Sequence, residues 1–137
     1  MITTYQKLLL GHASEHQQKM FLGNEKDAVA LLKMGFITHD FVSFNGKLKN
    51  VFKINCYGEA IVKGLVELPA YCKFVKYQSV CKLLNVKYGV VRSWGQKIRA
   101  PSPEQALMLI ERTQCLTWRG IYEPRALYAR EQLNKGN

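Results

Sequence analysis

The segment at residues 76–95 constrains the fold of this chain most, and it reads KYQSVCKLLNVKYGVVRSWG. Two short patterns of helical spacing meet at Asn85, a residue type that tolerates the left-handed backbone conformation of a sharp turn. Two short helices that cross steeply and lock together through apolar contacts form a helix-turn-helix. We therefore predict this motif at about residues 77–95. Its expected buried contacts are Val80, Cys81, Leu83, Leu84, Val86, Val91 and Trp94.

The other face of the predicted second helix is polar and basic. In a helix-turn-helix, the N-terminal part of the second helix enters the major groove of DNA and meets base edges. We expect Arg92 to read a base such as guanine, Lys87 to contact phosphate, and Tyr88 to do either. The start of the first helix and the loop after the second are expected to contact phosphates. The predicted DNA-binding residues are Tyr77, Gln78, Lys87, Tyr88, Gly89, Arg92, Ser93, Gln96, Lys97 and Arg99.

The same pattern also fits an amphipathic helix pair inside a bundle. In that alternative, Tyr88 and Trp94 are core residues and no DNA is bound. Gly89 weakens the prediction of a regular second helix, because glycine inside a helix costs about 1 kcal/mol relative to alanine. If the helix forms, the absent side chain at Gly89 instead allows close approach to DNA.

The charge of the chain favours a polyanionic partner. There are 20 lysines and arginines but 10 acidic residues, which gives a net charge of +10 and a pI near 9.6. Residues 1–69 carry eight lysines, no arginine and six acidic residues, whereas residues 70–137 carry six lysines, six arginines and four acidic residues. Arginine is suited to bidentate contacts with phosphate or guanine. We therefore assign nucleic-acid binding mainly to the C-terminal half.

Further motifs follow the predicted helix-turn-helix. After Trp94 come the loop QKIRAPSPEQA, the helical segment ALMLIERT at residues 106–113, and TWRGIYEPRALY at residues 117–128. In this order and spacing, residues 76–128 resemble the YdaS-type, Cro-like helix-turn-helix regulators of phages and prophages. The family's usual Leu-Arg-Pro-Asp ending stands here as Tyr122-Glu123-Pro124-Arg125. The resemblance implies a five-helix, Cro-like domain that binds operator DNA, commonly as a homodimer on inverted half-sites.

The segment after the proline-containing loop is expected to complete this domain. Ser102 is placed to cap a helix that begins at Pro103. Leu107, Met108 and Ile110 are expected to close the core over Trp94. The last apolar stretch, at residues 116–128, is either core or a dimer contact, and its large residues are Trp118, Ile121, Tyr122 and Leu127.

Capping and termination signals predict four short helices in the first half. In the third of them, Ala28, Leu31 and Leu32 are expected to share the apolar face. The predicted helices run from Thr3 or Thr4 to Leu10 with Gly11 as terminator, from Ser14 to about Leu22, from Glu25 to Met34 between Asn24 as cap and Gly35 as terminator, and from about Tyr57 to Leu65.

A β-hairpin is predicted between the last two of these helices. Asn45-Gly46 is a favoured dipeptide for a tight hairpin turn, and apolar residues precede and follow it. A helix, a basic hairpin and another helix, over residues 25–66, resemble the second part of a winged-helix domain. The hairpin is then either a wing that touches DNA phosphates or a solvated surface. The lysines concerned are Lys47, Lys49 and Lys53.

We expect a mainly α-helical, α+β protein of two parts. The boundary is predicted near Leu68-Pro69-Ala70, because a proline disfavours helix in the residue before it. Residues 1–69 are then a winged-helix-like or partner-binding domain. Residues 70–137 are then a Cro- and YdaS-like helix-turn-helix domain that binds DNA.

Other chemistry is weakly indicated. The four cysteines, Cys56, Cys72, Cys81 and Cys115, match no zinc-ligand spacing and are expected to be reduced and mostly buried. A pair of histidines four residues apart, His12 and His16, has no recognisable third metal ligand. We therefore expect no metal, no cofactor and no enzymatic activity. No stretch approaches the roughly 20 apolar residues of a membrane span, and no signal peptide is recognisable, so a cytoplasmic protein is expected.

These observations predict a sequence-specific transcriptional regulator, in the first place a repressor. Two other functions stay open. A phage-encoded inhibitor or antitoxin would bind a host or toxin protein through its first half and repress its own gene through the helix-turn-helix. A nonspecific, nucleoid-type protein would bind operator and random DNA equally well.

Overall fold

A computed structural model describes residues 2–16, 20–21 and 25–136 of the chain. The chain divides into two compact units, Met1–Lys63 and Gly64–Asn137. The described residues are mainly helical with a small antiparallel sheet, which confirms the α+β class. The division precedes the boundary predicted near Leu68-Pro69-Ala70, because these residues open a helix instead of linking two parts. Proline is tolerated in the first turn of a helix, where its missing N–H has no intrahelical acceptor.

The first unit combines helices with a three-stranded sheet. The strands are antiparallel and lie in the order β1-β3-β2. Buried apolar residues from the helices and the sheet form one core, including Leu10, Ala28, Leu31, Phe36 and Phe52. The elements are α1 (Thr4–His16), β1 (Met20–Phe21), α2 (Glu25–Met34), β2 (Ile37–Phe44), β3 (Lys47–Ile54) and α3 (Cys56–Val62).

The hairpin forms at the predicted dipeptide. Asn45 and Gly46 both have positive φ, at 52° and 76°, as the tight turn between twisted antiparallel strands requires. Phe44 pairs directly with Lys47 on either side of this turn. The two-residue strand β1 pairs with Val51 and Phe52 on the outer side of β3, and the sequence analysis did not predict it.

The first helix differs most from its prediction. Thr3 caps it as expected, since the Gln6 N–H donates to Thr3 Oγ1 at 3.1 Å. However, the helix continues through Gly11, because burial of Leu10 and Ala13 outweighs the helix cost of one glycine. Ser14 therefore lies inside α1 and opens no second helix, and its hydroxyl donates to Glu59 Oε2 at 2.7 Å. The predicted end of that helix and the predicted cap of α2, Leu22 and Asn24, lie outside the described residues.

The other two helices of this unit need smaller corrections. The bounds of α2 are as predicted, and Ala28 and Leu31 are fully buried. Leu32 is 36% exposed, because it lies roughly 100° around the helix from Leu31. Asn55 caps α3 by accepting the Gly58 N–H at 3.0 Å. This helix ends at Val62 and not at Leu65, because Gly64 has a left-handed φ of 63°.

The second unit consists of five helices in the part of the chain that the structure describes. Helix α4 packs against α5, α6 and α8, and α7 packs against α5 and α8. The core comes from all five helices and from Leu116, with Tyr71, Val80, Trp94, Leu109 and Ile121 among its members. The helices are α4 (Leu68–Val75), α5 (Tyr77–Leu84), α6 (Tyr88–Gly95), α7 (Pro103–Thr113) and α8 (Trp118–Lys135).

Helix α7 begins as predicted but presents a different face to the core. Ser102 accepts the Gln105 N–H, and the Gln105 side chain accepts the Ser102 N–H, which is a complete capping box. The buried residues are Ala106, Leu109 and Thr113, at helical spacing. Leu107 is 46% exposed, so its predicted place in the core is wrong.

The final helix divides the last apolar stretch between core and surface. Thr117 caps α8 by accepting the Gly120 N–H at 3.0 Å, and the helix runs on through Pro124. Ile121 is buried in the core, whereas Trp118 and Leu127 are half exposed.

Candidate nucleic-acid interface

Helices α5 and α6 form the two arms of the predicted helix-turn-helix. Asn85 joins them in the left-handed conformation, with φ of 55° and ψ of 51°. The N–H of Val86 donates to the carbonyl oxygen of Cys81 at 3.1 Å, which closes the end of α5. Lys87 is extended and starts α6. The turn therefore has the residue and the conformation that the sequence predicted.

Apolar side chains hold the two helices together on the expected side. Val80, Val91 and Trp94 are buried, and Leu84 is nearly so. The smaller contacts predicted at the turn, Cys81, Leu83 and Val86, are half-buried.

The opposite side of α6 is exposed from its first turn onwards. Lys87, Gly89 and Arg92 are exposed, and Tyr88 is 49% exposed. Among the described residues, the side chains of Lys87 and Arg92 make no ion pair or hydrogen bond. The Ser93 hydroxyl donates to the carbonyl oxygen of Val90 at 2.5 Å and is half-buried, so its donor is already engaged.

Tyr77 is the first residue of α5, and its side chain is half-buried against α6. Its ring meets the Tyr88 ring edge to face, with 5.8 Å between the ring centroids. The hydroxyl end of the Tyr77 side chain lies close to Gly95 at the end of α6. Tyr77 therefore packs the two helices together and holds the exposed Tyr88 ring, which the sequence analysis did not foresee.

The remaining predicted contacts lie at the two ends of the motif. Gln78 is exposed at the start of α5. Gln96 and Arg99 are exposed in the loop after α6, and Lys97 is half-buried there with a left-handed φ of 63°. Arg112, from the motif that carries the family resemblance, is engaged with the carbonyl oxygen of Leu83 at 2.5 Å. It ties α7 to the end of α5.

All charged residues in the stretch of sequence that contains α5 and α6 are basic. The chain contains no aspartate, glutamate or histidine from Leu68 to Pro103. Sequence reasoning counted charges by halves and so missed three of the lysines in this segment; the signal was the absence of acidic residues over a run that contains both helices. The basic residues of this segment are Lys73, Lys76, Lys82, Lys87, Arg92, Lys97 and Arg99.

A cavity of about 390 Å³ opens beside the starts of α5 and α6. Two lysines and two tyrosines contribute to its wall, so it is both basic and aromatic. The residues that line it are Cys72, Lys73, Lys76, Tyr77, Gln78 and Tyr88.

The lysines predicted to form a wing lie on the hairpin of the first unit. Lys47, Lys49 and Lys53 are all exposed. Alternate residues of a strand share a face, so the three lysines lie on one side of β3. This position suits both sequence-based alternatives, a wing that touches phosphates and a solvated hairpin face.

Histidines and cysteines form no metal centre in the described part of the chain, where no group of three His, Cys, Asp or Glu side chains can hold an ion. The side chain of His16 is not described. Burial raises the pKa of the Cys72 thiol to about 12 and that of Cys115 to about 11. Burial also raises the pKa values of Cys56 and Cys81. Cysteine in this state is a weak nucleophile, because the thiolate is the reactive form.

Within the described residues, every helix is too short or too polar to cross a lipid bilayer.

Comparison with known proteins assigns no family to this chain. No protein-family model, no curated protein and no solved structure matches this chain.

Proposed function

We propose that this protein is a sequence-specific DNA-binding regulator of transcription, of phage or prophage type, that acts as a repressor. One observation carries the proposal. Helix α6 exposes Lys87, Tyr88 and Arg92 opposite the buried Val91 and Trp94, inside a segment that has seven basic and no acidic residues. A second helix that exposes basic residues at its start and in its middle, with no acidic residue beside them in the sequence, suits major-groove binding.

The chemistry of the exposed residues supports a division of roles. Arginine in the major groove donates two hydrogen bonds to the O6 and N7 atoms of guanine, so Arg92 supplies base specificity. Lys87, Lys97 and Arg99 supply affinity by neutralising phosphates, and this contribution falls as salt rises. The side chains of Lys87 and Arg92 are available for this, since neither has a partner in the described part of the chain.

The proposed Cro-like arrangement concerns the second unit. The resemblance to YdaS-type, Cro-like regulators implies five helices, and the second unit has five described helices if α4, which precedes residues 76–128, is included. We propose the Cro-like arrangement for this unit and a homodimer on inverted half-sites. The half-exposed Trp118 on α8, which stacks on Tyr122, offers apolar surface for a second copy. In the first unit, the β2–β3 hairpin is proposed as a winged-helix-like wing whose lysines contact phosphates.

Binding of the full-length protein to DNA tests the proposal. Duplex DNA from upstream of its own gene is compared with random duplex DNA at several salt concentrations. We expect a preference of about 10³-fold or more for the upstream DNA. Arg92→Ala should erase most of this preference. Arg130→Ala, which removes the same charge from an exposed site on α8, should leave it intact.

Two results would contradict the proposal. Equal binding of both duplexes by the wild-type protein would indicate a nonspecific DNA-binding protein. Failure to bind either duplex at physiological salt would mean that α5 and α6 have only a structural role.

A second candidate function is binding of a protein partner by the first unit, as an inhibitor or antitoxin would do. Phe41 is 57% exposed and Leu48 is 76% exposed, and their register places them on the same face of the β2–β3 hairpin. Exposed apolar residues on one face are typical of protein contacts. Phe41→Ser with Leu48→Ser, which adds no charge to the hairpin, should abolish partner binding and leave DNA binding unchanged if this function holds. Loss of DNA affinity or no change in partner binding would contradict it.

A further inference from the structure

The cavity beside α5 and α6 has a composition suited to an anion. Lys73 from α4 and Lys76 from the junction of α4 and α5 line it together. Both lysines are exposed, and neither makes an ion pair within the described residues. An anion bound in this cavity would be attracted by both ammonium groups. The nearest acidic residues along the chain are Glu67 and Glu104, and neither lines this cavity.

The backbone at Lys76 adds an independent observation. Its φ of 78° and ψ of 140° fall in a region that glycine adopts readily and other residues rarely do. The chain nevertheless carries a lysine at this position. Residues held in such conformations cluster at ligand-binding sites, where the side chain is needed in spite of the strain.

The other residues that line the cavity indicate which kind of anion it suits. Tyr77 and Tyr88 meet edge to face at the cavity, and Gln78 adds a neutral polar group. Aromatic rings offer apolar surface to a sugar or a base, whereas an inorganic ion has no such group. The cavity of about 390 Å³ is also larger than a single phosphate group needs. The favoured ligand is therefore a phosphate ester.

We propose that Lys73 and Lys76 together bind one phosphodiester of the DNA backbone in this cavity, with Tyr77 and Tyr88 against the adjoining sugar. This inference rests on the proposed function, because it assumes that duplex DNA lies along α5 and α6. It adds two residues outside the predicted interface. A backbone contact carries no sequence information, so this site contributes affinity without preference.

The first experiment measures affinity of the full-length protein for a random duplex as a function of salt. One phosphate contact contributes about 0.9 to the slope of log affinity against log salt, which is about fivefold in affinity near 0.15 M salt. Lys73→Gln and Lys76→Gln should each remove much of this contribution. The double variant should remove about 0.9 in all, and not twice that amount, because both lysines serve one phosphate. Lys135→Gln, at the exposed end of α8, should change neither quantity.

Lys76→Gly separates a binding role from a structural one. Glycine relieves the backbone strain, so the midpoint of thermal unfolding should rise while DNA affinity falls about as much as in Lys76→Gln. Lys76→Gln keeps the strain and should unfold like the wild type. A residue with a merely structural role would move stability and binding in the same direction.

Neutral phosphate analogues identify the contact on the DNA. Methylphosphonates are introduced one at a time along one strand of the duplex. At one site in the strand, the methylphosphonate should lower the DNA affinity of the wild-type protein about fivefold. The same methylphosphonate should leave the DNA affinity of the Lys73→Gln, Lys76→Gln double variant unchanged. Competition with a mononucleotide and with inorganic phosphate separates the sources of the anion. Neither should displace DNA at millimolar concentration if the ligand is the backbone of a duplex.

Several outcomes would overturn the inference. An unchanged salt slope in the double variant would do so, as would a methylphosphonate effect that persists in that variant. Displacement of DNA by a mononucleotide would make the cavity a site for a free nucleotide instead. The proposed function is read from a different quantity, the preference for upstream DNA that Arg92→Ala removes, so it stands or fails separately. If the wild-type protein binds no duplex, both proposals fail.

Discussion

The ring of Tyr77 occupies the space that a side chain on Gly95 would need. A Cβ atom at Gly95 would lie 2.5 Å from Cε1, 2.6 Å from the hydroxyl oxygen and 2.8 Å from Cζ of Tyr77, closer than real Cβ contacts allow. Helices α5 and α6 therefore contact each other here through the aromatic side chain of Tyr77 and the backbone of Gly95. Because Tyr77 also touches Tyr88, this contact supports part of the proposed DNA-binding surface.

Gly95→Ala should destabilise the protein by about 1–3 kcal/mol, since overpacking a tight contact forces side chains or backbone to move. Urea unfolding of the full-length chain measures the change. Tyr77→Ala opens the space, so alanine at position 95 should cost much less in that background. Equal costs in both backgrounds would show that the two residues do not oppose each other.

Gly89→Ala should act in the opposite direction on stability. No atom lies within 4 Å of a Cβ at this position, and Gly89 is inside α6, so alanine should stabilise by about 0.5–1 kcal/mol. The same methyl group stands on the surface proposed to face DNA. We therefore expect a higher unfolding midpoint together with weaker binding to upstream DNA. If Gly89→Ala binds upstream DNA as tightly as the wild type or more tightly, Gly89 is not part of the DNA interface.

Ser102→Ala should cost about 1 kcal/mol of unfolding free energy, because the Gln105 N–H loses its acceptor at the start of α7. Ser102→Gly should lower the unfolding free energy by only about 0.3 kcal/mol, since glycine is itself tolerated at helix caps. Thermal unfolding of the two variants beside the wild type checks this order. The opposite order would mean that the capping box contributes little.

The buried thiol of Cys72 makes stability depend on alkaline pH. Its pKa is raised from 9.0 to about 12 by burial, so below pH 9 the thiol is protonated in both folded and unfolded chains and has no effect. Above pH 9 the unfolded chain releases its proton first, and the unfolding free energy should fall until about pH 12. Urea unfolding across this range should show a shallower fall for Cys72→Ala. Parallel curves for variant and wild type would contradict the assignment.

The helix-turn-helix was predictable because its determinants are local. Apolar spacing set the buried side of α5 and α6, and Asn85 is one of the few residue types that accept the left-handed turn. The hairpin at Asn45-Gly46 was predictable for the same reason. Lys87 and Arg92 could then be predicted to be exposed, because they do not belong to the apolar face of the two helices.

Features that depend on distant contacts were missed. The run ALMLI in α7 offers several overlapping apolar faces, and only packing against α5 and α8 selects Ala106 and Leu109 over Leu107. Strand β1 has two residues and exists through its pairing with β3. No residue-type rule predicts a lysine with positive φ, so the contribution of Lys76 to the cavity became visible only in three dimensions.

The acid-free segment from Leu68 to Pro103 also lacks histidine, so it contains no group that ordinarily titrates between roughly pH 5 and pH 8. Burial moves the thiols of Cys72 and Cys81 further from that range by raising their pKa values. The segment that contains α5 and α6 therefore has no side chain whose ordinary pKa falls within the range of acidity that cells experience. Any polyanion held there responds to ionic strength and to competing polyanions, and it is insensitive to proton concentration.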